Sequence, residues 1–305
     1  MNIHLKTKFC GVLFSTPLVS LSGIVVDISG NTRLAKFKGI GGITTKSASI
    51  LPREGHPIPR IASFGAGYLN NVGLRNPGID KSVKELIELK KTTKKPIIAS
   101  IVGFQLQELP ILAQKIAAAK PEFIELNLSC PNVDDEAGKP IASDPLLSAI
   151  AVSEVKKVVK NIPIIAKLTP NVVDIKKVAY EVEEAGVDAI SAINTVGPGM
   201  LIDFKRRRAV LGSRVGGVSG AAIKPVALRC VNDIYKTVKV PILGMGGIET
   251  GRDALEMIMA GATLVGVGSA IYKGGQQVFD KIFSEMQELC QEEKIGSLKK
   301  IRGII

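Results

Sequence analysis

The 305-residue chain carries 40 Lys and Arg against 28 Asp and Glu, a formal net charge of +12, with 46% hydrophobic and 4% aromatic residues. That length suits one large barrel or two ordinary domains, and no apolar run approaches the roughly eighteen residues of a membrane span. The four cysteines (Cys10, Cys130, Cys230, Cys290) include no Cys-x-x-Cys pair, so neither a zinc site nor an iron–sulfur cluster is expected within this chain. Lys6 and Lys8 precede the apolar run Phe9–Phe14, but the run is too short for a secretory core and Pro17 follows closely. Free thiols without an export signal place the protein in a reducing cytoplasm. The positive charge is spread over helix faces, and only Lys205-Arg-Arg-Arg208 forms a tight cluster, with no aromatics interleaved for base stacking. Solvated faces and attraction of anionic ligands account for it better than nucleic acid does.

In chain order, short apolar runs predict strands at Leu18–Leu21, Gly42–Lys46, Ile97–Ile101, Phe123–Ser129, Ile164–Leu168, Ala189–Asn194, Ile242–Met245 and Leu264–Gly268. Stretches of helical period predict helices at Asp80–Thr92, Leu106–Lys120, Pro145–Lys160, Asp174–Ala185, Ala222–Val238, Gly251–Ala260 and Gln276–Glu293. A loose repeat marks the strand starts: Lys95-Pro-Ile-Ile-Ala99, Ile162-Pro-Ile-Ile-Ala166 and Val240-Pro-Ile-Leu-Gly244. Proline is tolerated there because no ladder donor is yet needed. The alternation predicts a single-domain (β/α)8 TIM barrel over residues 1–305. A doubly wound open sheet is the alternative, weakened by the lack of Gly-x-Gly-x-x-Gly after the first strand. Three connections, Ser47–Ile79, Cys130–Asp144 and Thr195–Ala221, are long for βα loops and should roof a site on one rim.

The chemistry gathers at predicted strand ends. Phe123-Ile-Glu-Leu-Asn-Leu-Ser-Cys-Pro-Asn132 runs from an apolar strand, interrupted by Glu125 and Asn127, into the polar turn Ser129–Asn132 that holds Cys130. A cysteine on an apolar strand is ordinarily inert packing, but this one lies beyond the run, among polar neighbours. Lys46, Lys167, Asn194 and Thr195 close other strands, and a lysine in an apolar strand is costly to bury unpaired. Each lysine alone could serve a structural ion pair. Together they suggest cations converging on one cavity, where they would lower the thiol pKa of Cys130. Gly244-Met-Gly-Gly-Ile-Glu-Thr-Gly251, Gly266-Val-Gly-Ser-Ala270 and Val215-Gly-Gly-Val-Ser-Gly-Ala221 are glycine-rich turns before helices. They serve either as simple tight turns or, preferred here, as a cradle for a phosphate-bearing cofactor.

In Leu21-Ser-Gly23, Thr44-Thr-Lys-Ser47, Asn70-Asn-Val-Gly-Leu74, Asn127-Leu-Ser-Cys-Pro-Asn132, Ile193-Asn-Thr195, Ser219-Gly220, Gly246-Gly247 and Gly268-Ser269 the chain resembles the dihydroorotate dehydrogenases along essentially its whole length. The resemblance implies an FMN-dependent barrel that oxidises dihydroorotate to orotate in pyrimidine biosynthesis. Cys130 would be the base at C5 of the substrate, with hydride passing from C6 to the flavin. Lys46, Asn70, Asn71, Asn127, Asn194 and Thr195 would hold the substrate, helped by Val72, Gly73 and Leu74. Ser22, Lys46, Ser47, Ser100, Asn127, Lys167, Ile193, Gly220, Gly246, Gly247, Gly268 and Ser269 would contact FMN. No metal is implied.

The cysteine base is that of class 1, and Asn70–Gly78, Ile193–Thr195 and Ser219–Ala227 are most similar to class 1B. That resemblance implies a homodimeric core joined to an electron-transfer subunit carrying FAD and a [2Fe–2S] cluster, with NAD as final acceptor. Ser100 stands where class 1B chains commonly have asparagine. Two rival readings remain: a class 1A homodimer using fumarate, and a non-catalytic basic barrel binding nucleic acid.

Overall fold

The computed structural model describes residues 5–128 and 141–305. Its centre is an all-parallel barrel of β1 (Leu18–Ser20), β2 (Ile43–Thr44), β3 (Ile97–Ile101), β4 (Phe123–Asn127), β5 (Ile164–Lys167), β6 (Ala189–Ala192), β7 (Ile242–Met245) and β8 (Leu264–Val267). Sequence neighbours pair from β2 round to β8, except that β8 also pairs β1. A parallel bridge between Val19 and Gly42 closes the circle, with Ser20 N donating to Gly42 O at 3.2 Å. Between and after the strands run α1 (Ile28–Leu34), α2 (Ile79–Thr92), α3 (Glu108–Ala117), α4 (Pro145–Val158), α5 (Ile175–Glu184), α6 (Lys224–Tyr235), α7 (Gly251–Met259), α8 (Ala270–Gly274) and α9 (Val278–Glu292).

The expected barrel is therefore the observed one, and all eight expected strands are present. Two keep their expected limits, while β2 and β6 end two residues earlier than expected, although Thr45 N still donates to Ile98 O at 2.9 Å and Ile193 N to Met245 O at 3.0 Å. The seven expected helices are also present. Helices α1 and α8 were not foreseen, being only 7 and 5 residues long. Asp27 nonetheless caps α1 well, its carboxylate accepting Gly30 N at 2.6 Å.

The repeated proline at strand starts has a local counterpart. Ile97 N donates to Glu122 at 2.8 Å and Ile164 N to Asp188 at 2.7 Å, each carboxylate standing just before the next strand. A helix lysine neutralises each one, Lys90 with Glu122 at 3.0 Å and Lys156 with Asp188 at 2.8 Å. Part of the basic character is thus used to tie helix ends to the barrel floor.

Side chains alternate across each strand, so Ile124 and Leu126 of β4 pack outward under the helices while Phe123 joins an inner layer. That layer holds Val19, Ile98, Phe123, Ile165, Leu243 and Leu264. The Phe9–Phe14 segment supplies its floor. It forms a hairpin of Thr7–Phe9 and Val12–Phe14, turning through Cys10 (φ 44°) and Gly11 (φ 83°), the positive-φ pair that hairpin twist favours. Phe9 and Phe14 lie 5.5 and 5.9 Å from the Phe123 ring. Burying each ring contributes about 1.5–3 kcal/mol, which closes the barrel bottom and leaves only the opposite rim open.

Two of the long connections do form a roof. Ile61–Phe64 and Gly67–Asn70 from the first, with Val196–Met200 and Val215–Ser219 from the last, make a four-stranded antiparallel sheet. The third connection lies largely outside the described residues.

Candidate active site

Between the barrel's C-terminal rim and this roof lies a cavity of about 1,210 Å³ of empty space, partly open to solvent. Lys46, Ser47, Asn127, Lys167, Ile193, Asn194 and Thr195 reach it from strand ends. Asn70, Val72, Gly73 and Leu74 reach it from the roof, and Ser22, Gly220, Gly246, Gly247, Gly268 and Ser269 also line it. Cys130 lies outside the described residues, as do Ser129, Pro131 and Asn132. Two expected residues do not line the cavity. Asn71 Oδ1 accepts from His56 Nδ1 at 2.6 Å and its Nδ2 donates to Val215 O at 3.0 Å, so it braces the roof. Ser100 is buried in the barrel behind Ser47, the hydroxyls 2.9 Å apart.

Sequence reading missed several lining residues. Tyr68 and Tyr272 both reach the cavity, as do Leu21, Ile24, Met245 and Ile248. Tyr68 sits two residues before Asn70 on the same face of its strand, a period-two signal that was available. Tyr272 was not findable, because nothing local aims a residue of α8 at the roof.

Register explains why the polar groups converge. Asn127 of β4 is paired with Lys167 of β5, and Ser191 of β6 is paired with the same lysine. Interior positions of neighbouring strands form one layer above the apolar floor, so residues distant in sequence share one surface. Lys167 is 6% exposed, and its ammonium has no hydrogen-bond or ion-pair partner among the described residues. A buried cation without a partner is costly, so this one fits an anionic or electron-rich ligand.

The glycine turns are built for close approach. Gly220, Gly246 and Gly247 have φ of 91°, 130° and 76°, a region that side chains avoid. A Cβ on Gly246 would stand 2.6 Å from Ala227 Cβ, and one on Gly247 2.6 Å from Lys224 Cβ. Lys224, at the start of α6, bonds Asp253 at 2.6 Å and Glu256 at 2.8 Å on α7. Those two carboxylates hold its ammonium above the ordinary lysine pKa. For Asp253, burial pushes the pKa up but is outweighed by the hydrogen bonds from Lys224, the Glu249 backbone and Thr250, leaving it below the usual range. Asp253 also completes a capping box with Thr250. The pair therefore clamps α6 to α7 and fixes the spacing of the glycine turns that precede them.

Among the described residues no group of three His, Cys, Asp or Glu could hold a metal ion, and no helix is long and apolar enough to cross a membrane. The remaining chemistry is a polar, cation-bearing cavity with a glycine cradle on one wall.

Comparison with known proteins agrees with that arrangement. The dihydroorotate dehydrogenase family model matches residues 4–290. A Methanocaldococcus jannaschii protein named dihydroorotate dehydrogenase B (NAD(+)), catalytic subunit, is 41% identical, the match covering 98% of this chain and 97% of the relative. Proteins of the same name from Methanothermobacter thermautotrophicus and Pyrococcus horikoshii are 38% and 40% identical, covering 100% and 98% of this chain and 99% and 97% of theirs. With the family model matching nearly the whole length and the barrel, roof and cavity in place, the chain belongs to the dihydroorotate dehydrogenase family.

Proposed function

We propose that this protein is the catalytic subunit of an NAD-linked dihydroorotate dehydrogenase, oxidising dihydroorotate to orotate at a bound FMN. The observation that carries the reading is the buried Lys167 ammonium, without a partner among the described residues, in a cavity also lined by Gly220, Gly246 and Gly247. The names of the full-length relatives support both the substrate and the NAD linkage. When bound, FMN supplies the two-electron acceptor that no side chain can provide.

The protein's own residues divide the remaining work. Gly220, Gly246, Gly247, Gly268 and Ser269 would hold the phosphate end, with backbone N–H groups at turns that precede helices as the donors to an anion. Ser22, Ser47 and Ile193, which line the cavity, would contact the ring system, and Lys167 would supply a positive charge to stabilise its reduced form. Ser100 acts on the ring from behind Ser47. Lys46, Asn70, Asn127, Asn194 and Thr195 orient the planar substrate, with Val72, Gly73 and Leu74 at its carboxylate and Asn71 bracing that loop. Cys130 removes the C5 proton as a thiolate, the form of the side chain that acts as a base. The roof sheet keeps bulk water from the reacting carbons.

Electrons leave through a partner subunit carrying FAD and a [2Fe–2S] cluster, bound to a homodimeric core in the cytoplasm. The test is an anaerobic absorbance titration of the purified chain with dihydroorotate. Bleaching of the flavin band, followed by reoxidation with NAD only when the partner is added, is the expected result. Reoxidation by fumarate alone would reassign the acceptor, and a chain that takes up no FMN would end the reading.

A further inference from the structure

Glu125 is 1% exposed and does not line the cavity. Both of its carboxylate oxygens accept hydrogen bonds inside the barrel, Oε1 from Ser100 Oγ at 3.1 Å and Oε2 from Ser191 Oγ at 2.9 Å. The rest of the chain of hydroxyls follows from proton counting. Ser100 has given its proton to Glu125, so it can only accept from Ser47 at 2.9 Å. Ser47 therefore donates to Ser100 while accepting from Asn127 Nδ2 at 3.3 Å. Its proton being used, Ser47 can only accept from Ser22 at 2.8 Å. Ser22 and Ser47 line the cavity, so every hydroxyl proton of this wall points away from the ligand and toward Glu125.

We propose that Glu125 is a positioning residue that sets the proton polarity of the Ser22–Ser47–Ser100 wall and thereby makes bound FMN harder to reduce. The inference rests on the FMN reading above and adds a residue that touches neither cofactor nor substrate. With the carboxylate in place, the wall offers oxygen lone pairs to the ligand, and these disfavour added electron density. In a buried, low-dielectric setting such oriented dipoles act strongly. Lys167 works in the opposite sense on the same ring system. Their balance leaves reduced FMN a strong enough reductant to pass electrons onward to a low-potential acceptor. Replacing the charge by an amide frees the relay to reverse, turning hydroxyl protons toward the ligand.

The test measures affinity of the apoprotein for oxidised and for chemically reduced FMN, with no substrate turnover involved. Glu125→Gln should raise the ratio of reduced to oxidised affinity at least tenfold, equivalent to a rise of about 30 mV for a two-electron couple. Glu125→Asp, which keeps the charge but shortens the side chain, should move that ratio less than threefold. A merely structural role predicts the reverse order, since Gln preserves shape and Asp does not. Should Glu125→Gln fail to fold, Ser100→Ala cuts the relay with the charge intact, and the ratio should still rise at least threefold. An unchanged ratio in the folded variant, or equal shifts for Gln and Asp, overturns the inference and leaves the proposed function standing. Absence of FMN binding by the wild-type chain overturns both.

Discussion

The rings of Tyr68 and Tyr272 meet at 5.1 Å with a tilt of 56°. One belongs to the roof sheet and the other to α8 after the last barrel strand, and both line the cavity. Burial and then the neighbouring Tyr68 push the Tyr272 hydroxyl above its ordinary pKa, so it stays neutral across the working range. The pair is the one aromatic contact, among the described residues, that ties roof to barrel. A contact of this kind contributes about 0.5–1.5 kcal/mol beyond area burial. Tyr272→Ala should therefore speed FMN release roughly two- to tenfold, read by recovery of flavin fluorescence after dilution. An unchanged release rate would mean the pair does not hold the roof.

Lys167 offers a test with two opposite signs. A buried, unpartnered polar group costs about 1–3 kcal/mol, and a charged one more. Lys167→Met should raise the urea midpoint of the apoprotein while lowering FMN affinity at least tenfold. Loss of both stability and affinity would instead indicate a structural lysine.

Gly247 should tolerate no side chain. Its φ of 76° and the 2.9 Å approach of Lys224 N to an added Cβ leave alanine both strained and crowded. Gly247→Ala should destabilise the protein by about 1–3 kcal/mol and weaken FMN binding, whereas Gly65→Ala, with nothing within 4 Å, should do neither. Urea melts with and without FMN separate the two effects.

The Lys224–Asp253 clamp predicts a pH dependence. The folded-state pKa of Asp253 is lowered, so its stabilisation is fully present above the unfolded value of about 3.9 and is lost as pH falls through the folded value. Asp253→Asn should therefore be less stable than wild type at neutral pH, and the gap should narrow below about pH 4. A gap that stays constant to low pH would show that the charge contributes nothing.

The barrel is legible in the periodicity of the chain alone. Apolar runs such as Ile97–Ile101 and Ile242–Met245, spaced by amphipathic helices, leave few other ways to bury both faces of a parallel sheet. The sequence also named most of the cavity, since strand ends in such a barrel share a rim wherever they fall in the chain. The floor hairpin escaped notice because Phe9–Phe14 is a short apolar run whose partner, Phe123, lies more than a hundred residues away. Asn71 and Ser100 were placed at the ligand by motif, yet register turned one into a roof brace and the other into a link behind Ser47. Glu125 read only as an interruption in an apolar strand. Its meaning depends on Ser100 of the adjacent β3 and Ser191 of β6, two strands away, both reaching it in the barrel interior. Periodicity fixes which face a side chain takes, but only closure of the sheet decides which distant side chains it meets there.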